Sequence, residues 1–339
     1  MTKKVVISGY YGYGNFGDEA ILYTLIQKLK DFDTDITVIS GNPRFTSLNY
    51  YVKAVKNFSF SKVAGVIKQA DVLISGGGSL LQDVTSLKSL LYYLWVIWLG
   101  IKYKKEVIIF AQGIGPVNNP IAAFLTRQLL KRCAYVSVRD EKSLLLLNDW
   151  NVDAKLVCDP IYSFPLSTSA NTHSIGIQLR DFKTMNDKLL KSIAAQVVKD
   201  FSDLKIVVIS FQDAVDLEIC NKFAQYVRAI NHNADIEVVS GLTGKSLVAK
   251  ISTLDYLIAM RFHALLLAVK FGIKSAAVNY DVKVEKLADE FNLPKISMTG
   301  DDDLDKAFNC MRYESSSEIR LKANSKTFDW QGITDFFEK

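Results

Sequence analysis

The regular alternation of short β-branched runs with amphipathic segments constrains the fold of this chain more than any other feature. Apolar runs typical of buried strands occupy residues 4–8, 36–40, 72–75, 107–111, 135–138 and 155–158. Residues 19–30, between the first two runs, carry apolar side chains at helical spacing. Strands that alternate with helices predict a parallel sheet with helices on both of its faces.

A polar stretch divides the chain into two such series. Residues 159–172 contain two prolines and many hydroxyl groups, which is typical of a connection between domains. A second series of predicted strands occupies residues 175–179, 205–211, 235–240, 256–260 and 275–278. We therefore predict two Rossmann-like, doubly wound α/β domains that face a central cleft in a GT-B-like arrangement. The predicted boundaries are an N-terminal domain at 1–160, a linker at 161–172, a C-terminal domain at 173–314, and a tail at 315–339 that packs back on the body.

Composition limits the class of ligand. The chain has 339 residues and a formal net charge of +5, and neither half has the concentrated basic face of a nucleic-acid-binding protein. We expect an anionic small ligand and no nucleic acid. The N-terminus runs directly into the first predicted strand, which leaves no room for a signal peptide. The four cysteines are widely spaced, so we expect a reduced, cytoplasmic protein.

Residues 90–101 form the most apolar run of the sequence. Its dozen residues fall short of the roughly 18 that a membrane-spanning helix needs. Two interpretations remain open. The run is either a helix buried against the sheet, or a face that meets a membrane or a lipid-linked substrate. Trp95 and Trp98, followed by Lys102, Lys104 and Lys105, support the second interpretation because tryptophan and lysine are typical of membrane interfaces.

The loop after the first strand has the spacing G-x-G-x-x-G at Gly12, Gly14 and Gly17, which elsewhere marks a dinucleotide site. In that motif a pyrophosphate binds at the helix N-terminus. Asp18 would place a carboxylate in the same space. Residues 39–42 also lack the acidic side chain that holds the ribose. We therefore expect no dinucleotide cofactor.

Asp18 itself has two interpretations. It is either the N-cap of the following helix, where aspartate satisfies free N–H groups, or a carboxylate that accepts a hydrogen bond from a sugar hydroxyl. Under the second interpretation Tyr10, Tyr11 and Tyr13 offer a surface for stacking on the sugar.

A second glycine-rich loop follows the strand at 72–75. Gly76, Gly77 and Gly78 allow the backbone to approach a ligand closely, and Ser79 follows them directly. A tight turn without a ligand is the alternative interpretation.

Cations follow several of the predicted strands. Arg139 comes after the strand at 135–138 and serves either an anionic ligand or a salt bridge across the cleft. Arg261 and His263 come after the strand at 256–260 and begin a helix, whose positive end favours an anion. We interpret His263 as functional, whereas His173 and His232 lie in polar loops and have no predicted role.

The acidic run at 301–303 has the form of a metal-binding D-x-D motif but precedes a helical pattern. We interpret it as a helix start. Other acidic residues at strand ends lack metal-ligand spacing, so we predict no metal.

Five segments together resemble the motifs of the polysaccharide pyruvyltransferases, most nearly those of the CsaB-like branch. They occur in the expected order at residues 14–19 (GNFGDE), 75–83 (SGGGSLLQD), 111–116 (AQGIGP), 138–140 (VRD) and 261–264 (RFHA). The resemblance covers residues 4 to about 290.

This resemblance implies an enzyme that transfers the enolpyruvyl unit of phosphoenolpyruvate to two hydroxyls of one sugar and releases phosphate. Phosphoenolpyruvate is then a co-substrate, and no cofactor is needed. The implied acceptor is N-acetylmannosamine in a lipid-linked precursor of a secondary cell wall polymer, a kind of polymer involved in S-layer anchoring. Contact with the inner face of the cell membrane would follow from such an acceptor.

The resemblance also implies roles for individual residues. It assigns Arg139, Arg261 and His263 to phosphoenolpyruvate and Asp18 to the acceptor or to proton transfer. Lys283 is a weaker match for phosphoenolpyruvate, since Lys274 and Lys286 are nearby. The chemistry of the addition then makes His263, as an acid or as the group that neutralises the departing phosphate, and Asp18, as a base, the catalytic candidates. The loops on the acceptor side of the cleft contain the remaining candidates: Tyr11, Tyr13, Asn15, Gly77, Gly78, Ser79, Gln82 and Gln112. The alternative functions are a GT-B glycosyltransferase that uses a nucleotide sugar and a non-catalytic glycan-binding protein.

Overall fold

The computed structural model describes residues 2–164, 170–182, 185–242, 244–299 and 304–338. Two compact units divide the chain. The first comprises Met1–Phe164 together with Thr327–Lys339, and the second comprises Pro165–Lys326. Part of the predicted linker, residues 165–169, lies outside the described residues, as does the acidic run at 301–303.

The first unit contains a seven-stranded parallel sheet in the order β3-β2-β1-β4-β5-β6-β7. Its strands are β1 (Lys3–Ser8), β2 (Thr34–Ser40), β3 (Lys53–Lys56), β4 (Val72–Gly76), β5 (Glu106–Gln112), β6 (Tyr135–Val138) and β7 (Lys155–Leu156). Its first six helices are α1 (Phe16–Leu29), α2 (Pro43–Tyr50), α3 (Phe60–Gln69), α4 (Leu87–Lys102), α5 (Pro120–Leu130) and α6 (Glu141–Asp149). Every residue of β4 is buried, as expected for a strand covered by helices on both faces.

The second unit contains a six-stranded parallel sheet in the order β10-β9-β8-β11-β12-β13. Its strands are β8 (Ser174–Gln178), β9 (Lys205–Ile209), β10 (Ile236–Val239), β11 (Tyr256–Ala259), β12 (Lys274–Asn279) and β13 (Lys295–Ser297). Its helices are α7 (Asp187–Asp200), α8 (Asp213–Ile230), α9 (Gly244–Ser252), α10 (Phe262–Phe271), α11 (Val282–Phe291), α12 (Leu304–Tyr313) and α13 (Ser316–Asn324).

The predicted linker and the predicted tail are each divided between the two units. A 3₁₀ turn at Pro160–Ser163 packs against α1, so the first unit extends to Phe164. Helix α13 packs against α10 in the second unit. The last segment then belongs to the first unit, where the rings of Phe328 and Trp330 lie 5.2 and 5.7 Å from Phe110. It includes the short helix α14 (Gln331–Thr334).

The apolar run at 90–101 lies within α4. One face of this helix is buried and includes Leu90, Leu94 and Ile97, which agrees with the buried-helix interpretation for that face. Leu91 and Trp98 lie on the other face and are exposed. Among the described residues, no helix combines the length and the apolar character needed to cross a bilayer.

Candidate functional site

Each sheet reverses its strand order at one point. In the first unit, β1 has β2 on one side and β4 on the other, and in the second unit β8 has β9 on one side and β11 on the other. The connections after β1 and β4 diverge from one such point, and those after β8 and β11 diverge from the other. Ligands of doubly wound folds bind at such a point, outside the carboxyl ends of the strands. The predicted motifs at residues 14–19, 75–83 and 261–264 all lie there.

Glu19 organises the loop after β1. Its side chain is buried, its Oε1 accepts a hydrogen bond from the Gly12 N–H at 2.6 Å, and its Oε2 accepts one from the Tyr50 hydroxyl at 2.5 Å. Burial raises the pKa of Glu19, although hydrogen bonds from Tyr50, Gly12 and Tyr13 oppose the shift. Sequence reasoning missed this role because an acidic residue in the first turn of a helix is common.

Asp18 is not the N-cap of α1, and that interpretation is wrong. Asn15 occupies the N-cap, and its side chain accepts a hydrogen bond from the Gly17 N–H at 3.2 Å. Asp18 lies in the first turn, is buried, and approaches the glycine-rich loop after β4. A Cβ atom on Gly78 would lie only 2.5 Å from Asp18 Oδ1. Gly78 also has a φ of +83°, so glycine is favoured there on two grounds.

The glycine-rich loop also packs tightly against the neighbouring loop after β5. The Gly113 N–H donates to the Gly78 carbonyl at 2.9 Å, and the Gly77 N–H donates to the Phe110 carbonyl at 3.0 Å. A Cβ atom on Gly113 would lie 2.7 Å from Ser79 Oγ. The structure therefore brings Asp18, Gly78 and Ser79 into one region at the end of the first sheet.

Tyr11 and Tyr13 have different environments. Tyr11 is 1% exposed, and its ring lies where a Cβ atom on Gly9 would be. Burial excludes it as a surface for stacking on a sugar, which corrects the prediction for this residue. Tyr13 is 38% exposed, stacks on Tyr10 at 4.4 Å, and accepts a hydrogen bond from Asn57 Nδ2 at 2.6 Å.

Two glutamines at the end of this sheet form hydrogen bonds with nearby strand-end and loop residues. Gln112 is fully buried and its Nε2 donates to the carbonyl and the hydroxyl of Ser75 at 3.0 and 2.8 Å. Its Nε2 therefore links the ends of β4 and β5, whereas its Oε1 is buried with no hydrogen-bond partner among the described residues. Gln82 is half-buried and accepts a hydrogen bond from the Thr85 N–H at 3.0 Å.

Arg139 forms a buried ion pair within the first unit. Its Nη1 lies 2.6 Å from Asp159 Oδ2, and the two side chains are 10% and 5% exposed. Asp159 also caps the turn at Pro160–Ser163 by accepting from the Ile161 N–H. The salt-bridge interpretation of Arg139 is therefore correct about the pairing, and the partner belongs to the same unit.

Arg261 is held by a buried carboxylate at the end of the second sheet. Its Nε donates to Asp216 Oδ2 at 2.8 Å and its Nη2 donates to Asp216 Oδ1 at 2.6 Å. Asp216 is fully buried, and the Arg261 N–H donates to Gln178 Oε1 at 2.7 Å. Paired bonds of this kind fix the plane of a guanidinium. The predicted site did not include Asp216 or Gln178. Asp216 lies in α8 and Gln178 in β8, so no local sequence pattern connects either residue to Arg261.

His263 lies in the first turn of α10, whose N-cap is Arg261. The imidazole is half-buried and packs edge-on against Phe262, with 5.1 Å between ring centroids. Lys283 lies in the first turn of α11, where it is exposed and its N–H donates to the capping Asp281 at 2.7 Å. Both residues follow adjacent strands, β11 and β12.

Arg180 is a further cation at the same edge. The register pairs Gln178 with Ala259, so Arg180 and Arg261 each lie two residues beyond a paired position on adjacent strands. Arg180 is half-buried, and its Nε is buried with no hydrogen-bond partner among the described residues. Its place after a predicted strand was visible in the sequence, but no motif pointed to it.

The other two histidines lie away from this edge. His173 precedes β8, at the opposite end of the strand, and is 72% exposed beside Asp203. His232 follows α8 and is exposed. Within the described part of the chain, no group of three or more His, Cys, Asp or Glu side chains is placed to hold a metal ion.

The fold is shared with sugar-nucleotide enzymes of the GT-B class. The chain is similar to UDP-GlcNAc 2-epimerase from Methanocaldococcus jannaschii, with a TM-score of 0.64, 11% identity and coverage of 93% of this chain and 94% of that one. It is similar to a glycosyltransferase from Rickettsia africae, with a TM-score of 0.63, 10% identity and coverage of 99% and 97%. At such identities the likeness shows the fold alone, and it confirms the predicted GT-B-like class.

A family match covers most of the chain. The polysaccharide pyruvyl transferase model matches residues 15–282, and the chain belongs to this family of enzymes. The matched range includes Asp18, the glycine-rich loop, Arg139, Arg261 and His263. The comparison with curated proteins gives no match.

Proposed function

We propose that this enzyme transfers the enolpyruvyl unit of phosphoenolpyruvate to two hydroxyls of one sugar, forming a pyruvate ketal and releasing phosphate. The observation that carries the proposal is the family match over residues 15–282. The different chemistry of the two strand-end clusters supports it. The first presents glycines, exposed tyrosines and a carboxylate, whereas the second presents cations.

The second unit offers suitable groups for the donor. Phosphoenolpyruvate carries a carboxylate and a phosphate, which are bound well by guanidinium forks and by the N-terminus of a helix. Arg261 is oriented by Asp216 at the N-terminus of α10, and Arg180 lies beside it at the end of the adjacent strand. We assign the phosphate and carboxylate of the donor to Arg261, Arg180 and Lys283. Family resemblance adds Arg139.

The reaction needs two additions to the same carbon. The first sugar hydroxyl adds to C2 of phosphoenolpyruvate while a proton is delivered to C3. The second hydroxyl then displaces phosphate from C2: its oxygen forms a bond to C2, the bond from C2 to the phosphate oxygen breaks, and inorganic phosphate leaves with the proton that this hydroxyl loses. Both hydroxyl protons must be removed, one proton must be supplied to C3, and the charge on the departing phosphate must be stabilised.

We assign these tasks to one residue of each unit. His263 delivers the proton to C3 or stabilises the departing phosphate, since it lies in the first turn of α10 next to Arg261. Asp18 accepts a proton from the sugar hydroxyl. Its place at the carboxyl end of the first sheet, where its Oδ1 packs against Gly78 of the glycine-rich loop, supports this role.

The acceptor is assigned to the first unit. The stacked rings of Tyr10 and Tyr13 offer an apolar face suited to a sugar ring. Gly77, Gly78 and Ser79 bring backbone and hydroxyl groups to the same end of the sheet. The proposed acceptor is N-acetylmannosamine in a lipid-linked cell wall polymer precursor, which places the enzyme in the cytoplasm at the inner face of the membrane.

The choice of donor distinguishes this proposal from a glycosyltransferase. We expect phosphoenolpyruvate to raise the melting temperature of the protein, whereas UDP-N-acetylglucosamine should leave it unchanged. A ligand that binds only the folded state at one hundred times its Kd stabilises by about 2.7 kcal/mol. A shift with the nucleotide sugar and none with phosphoenolpyruvate would contradict the proposal.

A further inference from the structure

Three neighbouring helices of the first unit contain no acidic residue. Helix α3 packs against α4, and α4 packs against α5. The segments Phe60–Gln69, Leu87–Lys102 and Pro120–Leu130 include no Asp or Glu, although the whole chain has 36. Their charged residues are all basic: Lys62, Lys68, Lys88, Lys102 and Arg127.

The outward stripe of α4 is apolar where a surface helix is normally polar. Lys88, Leu91, Trp95, Trp98 and Lys102 recur at intervals of three or four residues, so they share one face of the helix. Leu91 and Trp98 are 43% and 40% exposed. Lysines therefore flank an exposed apolar stripe at both ends, and Lys102 Nζ lies 4.7 Å from the centre of the Trp98 ring.

Helix α5 extends this apolar surface. Ile121, Phe124 and Leu125 are 70%, 59% and 40% exposed. On the side of α3, Phe58 and Phe60 are also exposed, and Phe60 packs edge-on against Trp95. We call this surface the α3–α5 face.

Basic residues collect beyond the C-termini of the same helices. Lys104 and Lys105 follow α4, whereas Lys131 and Arg132 follow α5. Both helices connect neighbouring parallel strands, so their C-termini lie toward the same end of the sheet. These four basic residues outnumber the two exposed acidic residues at the same end, Asp71 and Glu106, so the α3–α5 face combines exposed aromatic side chains with a mainly basic edge.

The second unit has no comparable helix pair in α7 and α8. These helices pack against each other, and the exposed residues of α7 are Asp187, Lys188, Lys191, Ala195 and Lys199. The exposed residues of α7 are thus one acidic, three basic and one alanine, and the one large apolar side chain that α8 exposes is Ile230, at its last residue. The composition of the α3–α5 face is thus a local property and does not follow from the fold.

We propose that the α3–α5 face binds the surface of an anionic lipid bilayer. Tryptophan, phenylalanine and leucine insert at the boundary between head groups and acyl chains, and lysines attract anionic head groups. The helices are too short to span a bilayer, so the protein would lie on the membrane. This inference concerns a surface separate from the strand-end clusters and holds whatever the donor or the acceptor sugar.

A second copy of the chain is a poorer occupant for this face. In a two-fold symmetric dimer the same surface meets itself. Lys88, Lys102 and Arg127 would then approach their equivalents without any acidic partner on the three helices, and like charges across an interface cost several kcal/mol. An anionic surface removes this repulsion.

Sedimentation with lipid vesicles tests the proposal on the full chain. We expect binding to vesicles that contain phosphatidylglycerol, little binding to phosphatidylcholine alone, and release as salt is raised. The double variant Trp98→Ser/Phe124→Ser should weaken binding about tenfold or more, since it removes two insertable side chains. Both residues are exposed, so its melting temperature should match that of the wild type. Trp95 is left intact because it contacts Phe60.

Two further variants complete the experiment. Tyr313→Ser/Leu321→Ser removes two exposed apolar side chains from the second unit and should leave binding unchanged. Lys102→Gln/Lys131→Gln should weaken binding and its dependence on salt. Equal binding to neutral vesicles, no binding to either kind, or full binding by the Trp98→Ser/Phe124→Ser variant would overturn the proposal. So would a wild-type dimer in solution that this variant dissociates.

Discussion

The two strand-end clusters share a topology and differ in chemistry. In both units the loops after the first and fourth strands of the α/β unit flank the point where the strand order reverses. The first unit fills this position with Asp18, glycines and the Tyr10–Tyr13 pair, whereas the second fills it with Arg180, Arg261 and His263. In doubly wound folds the scaffold generally fixes where a ligand binds and the loop residues decide which ligand it is, so this difference supports the proposed division of donor and acceptor.

Buried carboxylates position the loops or side chains in both units, but they act on different partners. Glu19 holds the backbone of Gly12 and the hydroxyl of Tyr50, and so shapes a neutral loop. Asp216 holds both edge nitrogens of Arg261, and so orients a cation. If the comparison is correct, substitutions at Arg180, Arg261 and His263 should affect the donor, and those at Asp18 and the Tyr10–Tyr13 pair the acceptor.

His263→Gln should have the largest effect. Glutamine preserves much of the volume but cannot deliver a proton, so we expect kcat to fall about 1000-fold. The matched control is His173→Gln, because His173 lies at the opposite end of β8 and is exposed. Steady-state kinetics and a melting curve of each variant provide the measurement. Activity near that of the wild type in His263→Gln would remove this residue from the reaction.

Asp18→Asn should reduce kcat about 100-fold, because the amide cannot accept the hydroxyl proton. The Tm shift produced by phosphoenolpyruvate should persist, since Asp18 is not among the residues assigned to the donor. Asp31→Asn is the control, as Asp31 pairs with Lys28 in an exposed i,i+3 salt bridge. Loss of phosphoenolpyruvate binding in Asp18→Asn would break the division between acceptor and donor sides.

Arg180→Gln should have the smallest effect of the three. Removing one cation from an anion site costs about 1.5 kcal/mol or more, so we expect the KM for phosphoenolpyruvate to rise about tenfold while the KM for the sugar stays constant. Arg228→Gln is the control, because Arg228 lies in the last turn of α8 and is exposed. A higher KM for the sugar alone would assign Arg180 to the acceptor.

Much of the architecture could be predicted from the sequence because central parallel strands are continuous apolar runs. β3 and β13 were missed since they are short edge strands: every residue of β3 is exposed or half-buried, and β13 has a single buried residue, Ile296. The predicted strand at 155–158 shortens to Lys155–Leu156 for the same reason. A strand that is buried on both faces appears in the sequence as a continuous apolar run. A short edge strand is only partly buried, so its sequence gives little of this pattern.

The candidate site was predicted less completely, because contacts between distant segments leave no local pattern. The sequence pattern allows Asp18 as the N-cap of α1, but Asn15 caps this helix. Tyr11 reads like the other loop tyrosines, yet it fills the space beside two glycines. Asp216 comes from α8 and could be linked to Arg261 only through the fold. For residues 90–101 the sequence supported two interpretations, a buried helix and an exposed apolar surface. The structure shows a buried face and an exposed face on the same helix.

Release of phosphate from phosphoenolpyruvate tests the central claim most directly. The wild-type enzyme would be incubated with phosphoenolpyruvate and a small panel of lipid-linked disaccharides, one of which contains N-acetylmannosamine. We predict phosphate release that depends on the acceptor and matches, mole for mole, the pyruvate ketal found on the sugar by mass spectrometry. No release with any acceptor, together with sugar transfer from a nucleotide sugar, would contradict the account.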